Sequence, residues 1–81
     1  MKIQYCSGFK DDFRHFSKEI REKFYRQIEH LLRDINYPSL RAKKYDEARG
    51  IWQARVDKSI RFYFLIQDDV YILLEIKKHP K

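Results

Sequence analysis

With a single cysteine among its 81 residues, Cys6, the chain can form no intrachain disulfide and no cysteine-rich zinc site. A reducing compartment is therefore the expected setting. No apolar run approaches the roughly 20 residues that a membrane-spanning helix needs, and the opening MKIQYCSGFKDD lacks the apolar core of a secretory signal. Repeats, low-complexity tracts and linkers are missing too. His15 and His30 do not share metal-ligand spacing, so neither a metal nor a cofactor is expected. Together these absences predict one soluble domain over 1–81, cytoplasmic and without a membrane role. Against them stand 43% hydrophobic and 16% aromatic residues, enough apolar material to fold, and a net charge of +6 with a pI near 9.6. An excess of positive charge on so small a chain favours an anionic partner, nucleic acid or an acidic protein segment.

The pattern of apolar residues divides the chain. Ile3 and Tyr5 alternate with polar neighbours, which predicts a short strand ending at Ser7 and Gly8, with Ser7 as the cap of a first helix. Phe9, Phe13 and Phe16 then repeat at helical spacing, an aromatic stripe that reads as core. Ser17 opens a second, longer helix in which Ile20, Phe24, Ile28, Leu31 and Ile35 keep one face as far as Pro38. A polar connection from Pro38 to Gly50 comes next, with a short strand suggested by Leu40, Ala42 and Tyr45. From Ile51 the period becomes two. Trp52, Ala54 and Val56 share a face with Ile60, Phe62, Phe64 and Ile66, and then with Val70, Ile72, Leu74 and Ile76. The expected class is α+β: an N-terminal strand, a helical hairpin, and a three- to four-stranded antiparallel meander with the helices on one sheet face.

Antiparallel partners point to the same face, so apolar residues must meet apolar ones, and this restricts both turns to odd lengths. Three-residue turns at Asp57–Ser59 and Gln67–Asp69 lay Arg55, Arg61 and Glu75 in one row on the face opposite the core. Gln53, Tyr63 and Leu73 form the next row. Two directly opposed arginines destabilise a sheet unless something offsets them, and Glu75 is the expected counter-charge. Arginine binds phosphate bidentately, and Tyr63 and Tyr71 on the same face offer stacking surfaces for bases. His79 comes just after the last strand beside Lys77, Lys78 and Lys81, where it would serve a scissile phosphate as general acid or base.

The run NYPSLRAKKYDEARGIWQARVDKSIRFYFLIQDDVYILLEIKKHPK resembles the C-terminal half of RelE/ParE-superfamily toxins. The resemblance rests on an ordered combination: Ser39-Leu40 with Lys43-Lys44, the basic strand from Trp52 to Val56, the Arg-aromatic strand Arg61 to Phe64, the acidic turn Asp68-Asp69, and Val70 to His79. It implies the toxin of a type II toxin–antitoxin pair, inhibited by a cognate antitoxin and most often a metal-free endoribonuclease that cleaves mRNA on the ribosome. By the same resemblance Arg61 stabilises charge on the scissile phosphate, Arg55 is a second basic strand residue, and His79 is the terminal acid. Glu75, without a family counterpart, would orient Arg61 or, if desolvated, act as a base. Lys43, Lys44, Gln53, Tyr63, Tyr71, Lys77 and Lys78 complete the expected RNA contacts. Where many relatives read Gly-x-His-Asp, this chain reads Lys77-Lys78-His79-Pro80. A non-cleaving toxin of DNA gyrase and a noncatalytic RNA- or protein-binding domain therefore remain open alternatives.

Overall fold

The computed structural model describes residues 1–79; Pro80 and Lys81, part of the basic tail expected around His79, lie outside the described residues. The order of elements is β1 (Lys2–Tyr5), α1 (Ser7–Phe13), α2 (Lys18–Arg33), a single 3-10 turn (Pro38–Leu40), β2 (Lys43–Asp46), β3 (Ile51–Arg55), β4 (Ile60–Gln67) and β5 (Val70–Lys78). The strands form one five-stranded sheet in the order β1-β5-β4-β3-β2. All neighbours are antiparallel except β1, which runs parallel to β5. The fold is thus the expected α+β arrangement. Leu40 departs from expectation, because it is buried in the 3-10 turn and the strand starts only at Lys43.

Both helices present their apolar stripe to the sheet. Phe24 is the hub: fully buried, its ring lies 5.2 Å from Phe9, 5.1 Å from Phe13 and 5.2 Å from Phe62. Such tilted and edge-on aromatic pairs contribute beyond simple area burial. Ser17 caps α2 as expected, its Oγ accepting the Ile20 amide at 3.3 Å. Ser7 does not cap α1; Cys6 occupies the N-cap position, without a side-chain cap bond, and its amide donates to the Leu73 carbonyl at 3.0 Å.

The β3–β4 hairpin has the expected register, with Trp52 opposite Phe64, Ala54 opposite Phe62 and Arg55 opposite Arg61. Asp57 shapes its turn by accepting the Ser59 and Ile60 amides at 2.8 and 2.9 Å. The β4–β5 hairpin differs. Gln67 pairs with Val70 across a two-residue turn in which Asp68 takes a positive φ of 55°, and a bulge between Tyr63 and Phe64 shifts the rest of the ladder. The short turn reverses the parity of the first half of β5, so Tyr71 and Leu73, not Val70, Ile72 and Leu74, enter the core. The bulge restores parity in time for Ile76 to pack opposite Phe62.

Candidate functional site

That altered register decides which side chains meet on the face away from the helices. Arg55 and Arg61 are directly opposed, but the third member of their row is Lys77, while Glu75 stands opposite Tyr63 in the next row. The expected Arg55–Arg61–Glu75 row is thereby corrected to three cations. Glu75 pairs with Lys77, Oε1 to Nζ 3.2 Å, and this hydrogen bond raises the Lys77 ammonium above its ordinary pKa. Arg61 is oriented by backbone instead. Only 7% exposed, it donates from Nη1 to the carbonyls of Asp57 at 2.7 Å and Ile60 at 3.2 Å. Carbonyl acceptors orient a guanidinium without neutralising its charge as a carboxylate would.

Around Arg61 lies a groove of about 250 Å³ lined by Arg41, Lys43, Gln53, Ala54, Arg55, Arg61 and His79. His79 reaches it because its amide donates to the Ser59 carbonyl at 2.7 Å, tying the end of β5 to the β3–β4 turn. Among the described residues, no carboxylate lines the groove. Burial, and then the charges of Arg41 and Arg61, push the Arg55 guanidinium below its ordinary pKa, as expected where cations crowd without a counter-ion. Arg41 was not among the residues expected from the sequence. It caps the 3-10 turn with φ 45°, a left-handed conformation uncommon outside glycine, and nothing in the residue pattern announces that turn.

The other expected contacts separate. Lys43, opposite Gln53, is in the groove. Gln53 is buried and donates to the Tyr63 hydroxyl at 3.0 Å. Tyr63 is itself 2% exposed, with Tyr45 edge-on at 4.9 Å and the Lys77 ammonium 5.1 Å above its ring, so it offers no free face to a base. Tyr45, 55% exposed, is the aromatic that reaches solvent there. Lys44 pairs with Trp52 and lies over that indole at 5.1 Å, away from the groove. Tyr71 joins the core against Phe64 because of the shortened turn. Lys78 pairs with Ile60 and lines a separate depression with Lys58, Ser59 and His79. Among the described residues, no three His, Cys, Asp or Glu side chains are grouped to hold a metal, and no helix is long and apolar enough to cross a membrane.

The fold and the groove define a small basic α+β protein with a cationic face. No protein-family model and no curated protein sequence matches the chain. Solved structures do, and the fold is that of the RelE/ParE-superfamily toxins. A YoeB/ParE toxin from Agrobacterium tumefaciens aligns over 99% of this chain and 100% of its own, at 16% identity and TM-score 0.81. The YoeB dimer from Staphylococcus aureus aligns over 99% and 98%, at 15% identity and TM-score 0.83. The RelB–RelE antitoxin–toxin complex from Methanococcus jannaschii aligns over 93% and 88%, at 18% identity and TM-score 0.74.

Proposed function

We propose that the protein is the toxin of a type II toxin–antitoxin module and acts in the cytoplasm as a ribosome-dependent mRNA endoribonuclease. The observation that carries this reading is the groove in which Arg41, Lys43, Arg55 and Arg61 converge with His79, without a carboxylate among the described lining residues. Cleavage by attack of a 2′-hydroxyl asks little covalent chemistry of a protein; it asks for in-line positioning and neutralisation of the phosphorane. Arg61, fixed by two carbonyls, binds the non-bridging oxygens, with Arg55 beside it. The 2′-oxygen bonds to phosphorus as the P–O5′ bond breaks, the 2′ proton passes to water, and His79 donates a proton to the departing O5′. The products are a 2′,3′-cyclic phosphate and a 5′-hydroxyl.

A cognate antitoxin fits the same face, since a carboxylate-bearing segment would neutralise the groove and exclude RNA. The similarity of the fold to toxins solved with RelB and YefM antitoxins supports such a partner. The test is induced expression with transcript-end mapping: growth arrest is expected with mRNAs cut at codon-positioned sites and with 5′-hydroxyl ends, and Arg61→Gln abolishes both. Arrest with intact transcripts refutes the nuclease, and inhibition of supercoiling by purified gyrase in that case assigns the gyrase mode instead.

A further inference from the structure

A second cationic depression, of about 450 Å³, lies between α2 and the β3–β4 turn. Lys23, Arg26 and His30 reach it from one face of α2, Lys58 from the turn, and Arg41 and Arg55 line both this depression and the first groove. The two arginines therefore form a shared wall with a cationic hollow on either side. One carboxylate, Asp57, enters the second hollow, and it is engaged: Oδ1 accepts two backbone amides, and Oδ2 stands 3.9 Å from Lys23 Nζ. Among the described residues, Arg26, Arg41, Arg55 and Lys58 form no ion pair.

The floor of the hollow is built. Gln27, 8% exposed, donates from Nε2 to the carbonyls of Ser39 at 3.1 Å and Arg55 at 2.8 Å, and its Oε1 accepts the Ser39 hydroxyl at 3.0 Å. This joins α2, the 3-10 turn and the end of β3, the elements that carry the cations. The apolar side chain in the lining, Val56, is 5% exposed. An acidic protein segment needs apolar contact for its remaining residues; a phosphodiester backbone needs none.

We infer that this depression is a second phosphate subsite for the same single-stranded RNA, engaging backbone phosphates beyond the scissile one, with Arg41 and Arg55 bridging the two hollows. The inference rests on the reading of the first groove as an RNA site. A strand that runs along the wall from one hollow to the other meets cations throughout, and its successive phosphates relieve the repulsion on both sides of Arg55.

The test is fluorescence anisotropy with labelled 2′-O-methyl oligouridylates, which cannot be cleaved, of about three and about nine nucleotides. The Lys23→Gln/Arg26→Gln pair is expected to weaken the longer probe about tenfold and to flatten its logarithmic salt dependence by about 1.4, or ~0.7 per lost phosphate contact. Binding of the short probe stays unchanged, as does binding of either probe to Lys10→Gln/Arg14→Gln, which removes equal charge elsewhere; circular dichroism checks the fold of each variant. If the α2 pair leaves the longer probe untouched while Arg61→Gln weakens it, the second subsite is refuted and the first groove stands. If the unsubstituted protein binds neither probe, the second subsite is refuted, and the ribosome-dependent reading of the first groove is decided by the transcript-end mapping above. A loss seen with a polyglutamate peptide but not with the longer oligonucleotide assigns the hollow to an acidic protein and refutes the RNA subsite.

Discussion

Gln27 is a polar side chain buried where three elements join, and replacing it with leucine tests whether that junction positions the cationic wall. The substitution keeps most of the volume and removes three hydrogen bonds, to the Ser39 carbonyl, the Ser39 hydroxyl and the Arg55 carbonyl. Each such bond contributes roughly 0.5–1.5 kcal/mol net. The sum of about 1.5–4.5 kcal/mol is reduced because the adjoining hollow admits water to the stranded groups, leaving a loss of about 2 kcal/mol. For a chain of this size that lowers Tm by about 10 °C. The assay is urea denaturation of Gln27→Leu, Ser39→Ala and the double variant. Because both side chains belong to one junction, the double-mutant cycle should return a coupling of about 1 kcal/mol. RNA affinity should also fall in Gln27→Leu under conditions where the protein remains folded, since Arg55 and Arg41 then lose their anchor. A coupling near zero, together with unchanged RNA affinity, refutes the reasoning.

Arg61→Lys keeps the charge but not the planar fork, and transcript cleavage should fall about 100-fold, the scale of losing one fixed transition-state donor; cleavage at the original rate would show that charge alone suffices. Arg55→Gln removes one of two opposed guanidinium groups, so thermal melting should rise while RNA binding weakens, and a fall in Tm would contradict the account of repulsion in that row. Phe24→Ala empties the centre of the aromatic cluster at a cost of about 3–5 kcal/mol, comparable with the whole stability of so small a domain, so circular dichroism should find much of the variant unfolded at 37 °C. Burial raises the phenols of Tyr5 and Tyr71 above their ordinary value. Both shifts favour the protonated folded state, so their stabilisation is fully present below the unfolded value of about 10 and is lost as pH rises through the raised folded values. Urea midpoints that stay level above that pH would contradict the burial of these two rings.

The helices and the β3–β4 hairpin were legible because one residue pattern served both local structure and core: the stripe through Phe24 and the alternation through Ala54 and Phe62 admit one packing. The opposed arginines came with that register. The β4–β5 hairpin was not legible, because Val70 to Ile76 is apolar at nearly every position and either parity buries hydrophobic residues. There, turn chemistry decides. Asp68 accepts a positive φ, the turn closes in two residues, and a bulge repairs the phase. One residue of slip at the turn moved Tyr71 into the core, and the bulge added a second, which exchanged Glu75 for Lys77 beside Arg61. Arg41 and Gln27 were hidden for another reason: their roles depend on contacts between α2, the 3-10 turn and β3, which no periodicity encodes.

That exchange changes what the site is. With Glu75 in the row, Arg55 and Arg61 would form part of a compensated surface ladder; with Lys77 there, they form part of an uncompensated one. Nearby carboxylates are committed elsewhere: Glu75 to Lys77, Asp46 to Arg49 at 2.7 Å, and Asp57 to its own turn. Repulsion among the groove cations is therefore a cost carried by the folded protein until an anion arrives, and an anion that arrives relieves it at several positions together. RNA and an acidic antitoxin segment would draw on the same relief, so they must compete, and added salt must weaken both. Under the toxin reading proposed above, no separate inhibitory surface would be needed: the charge pattern that would attract the substrate would also attract what silences it.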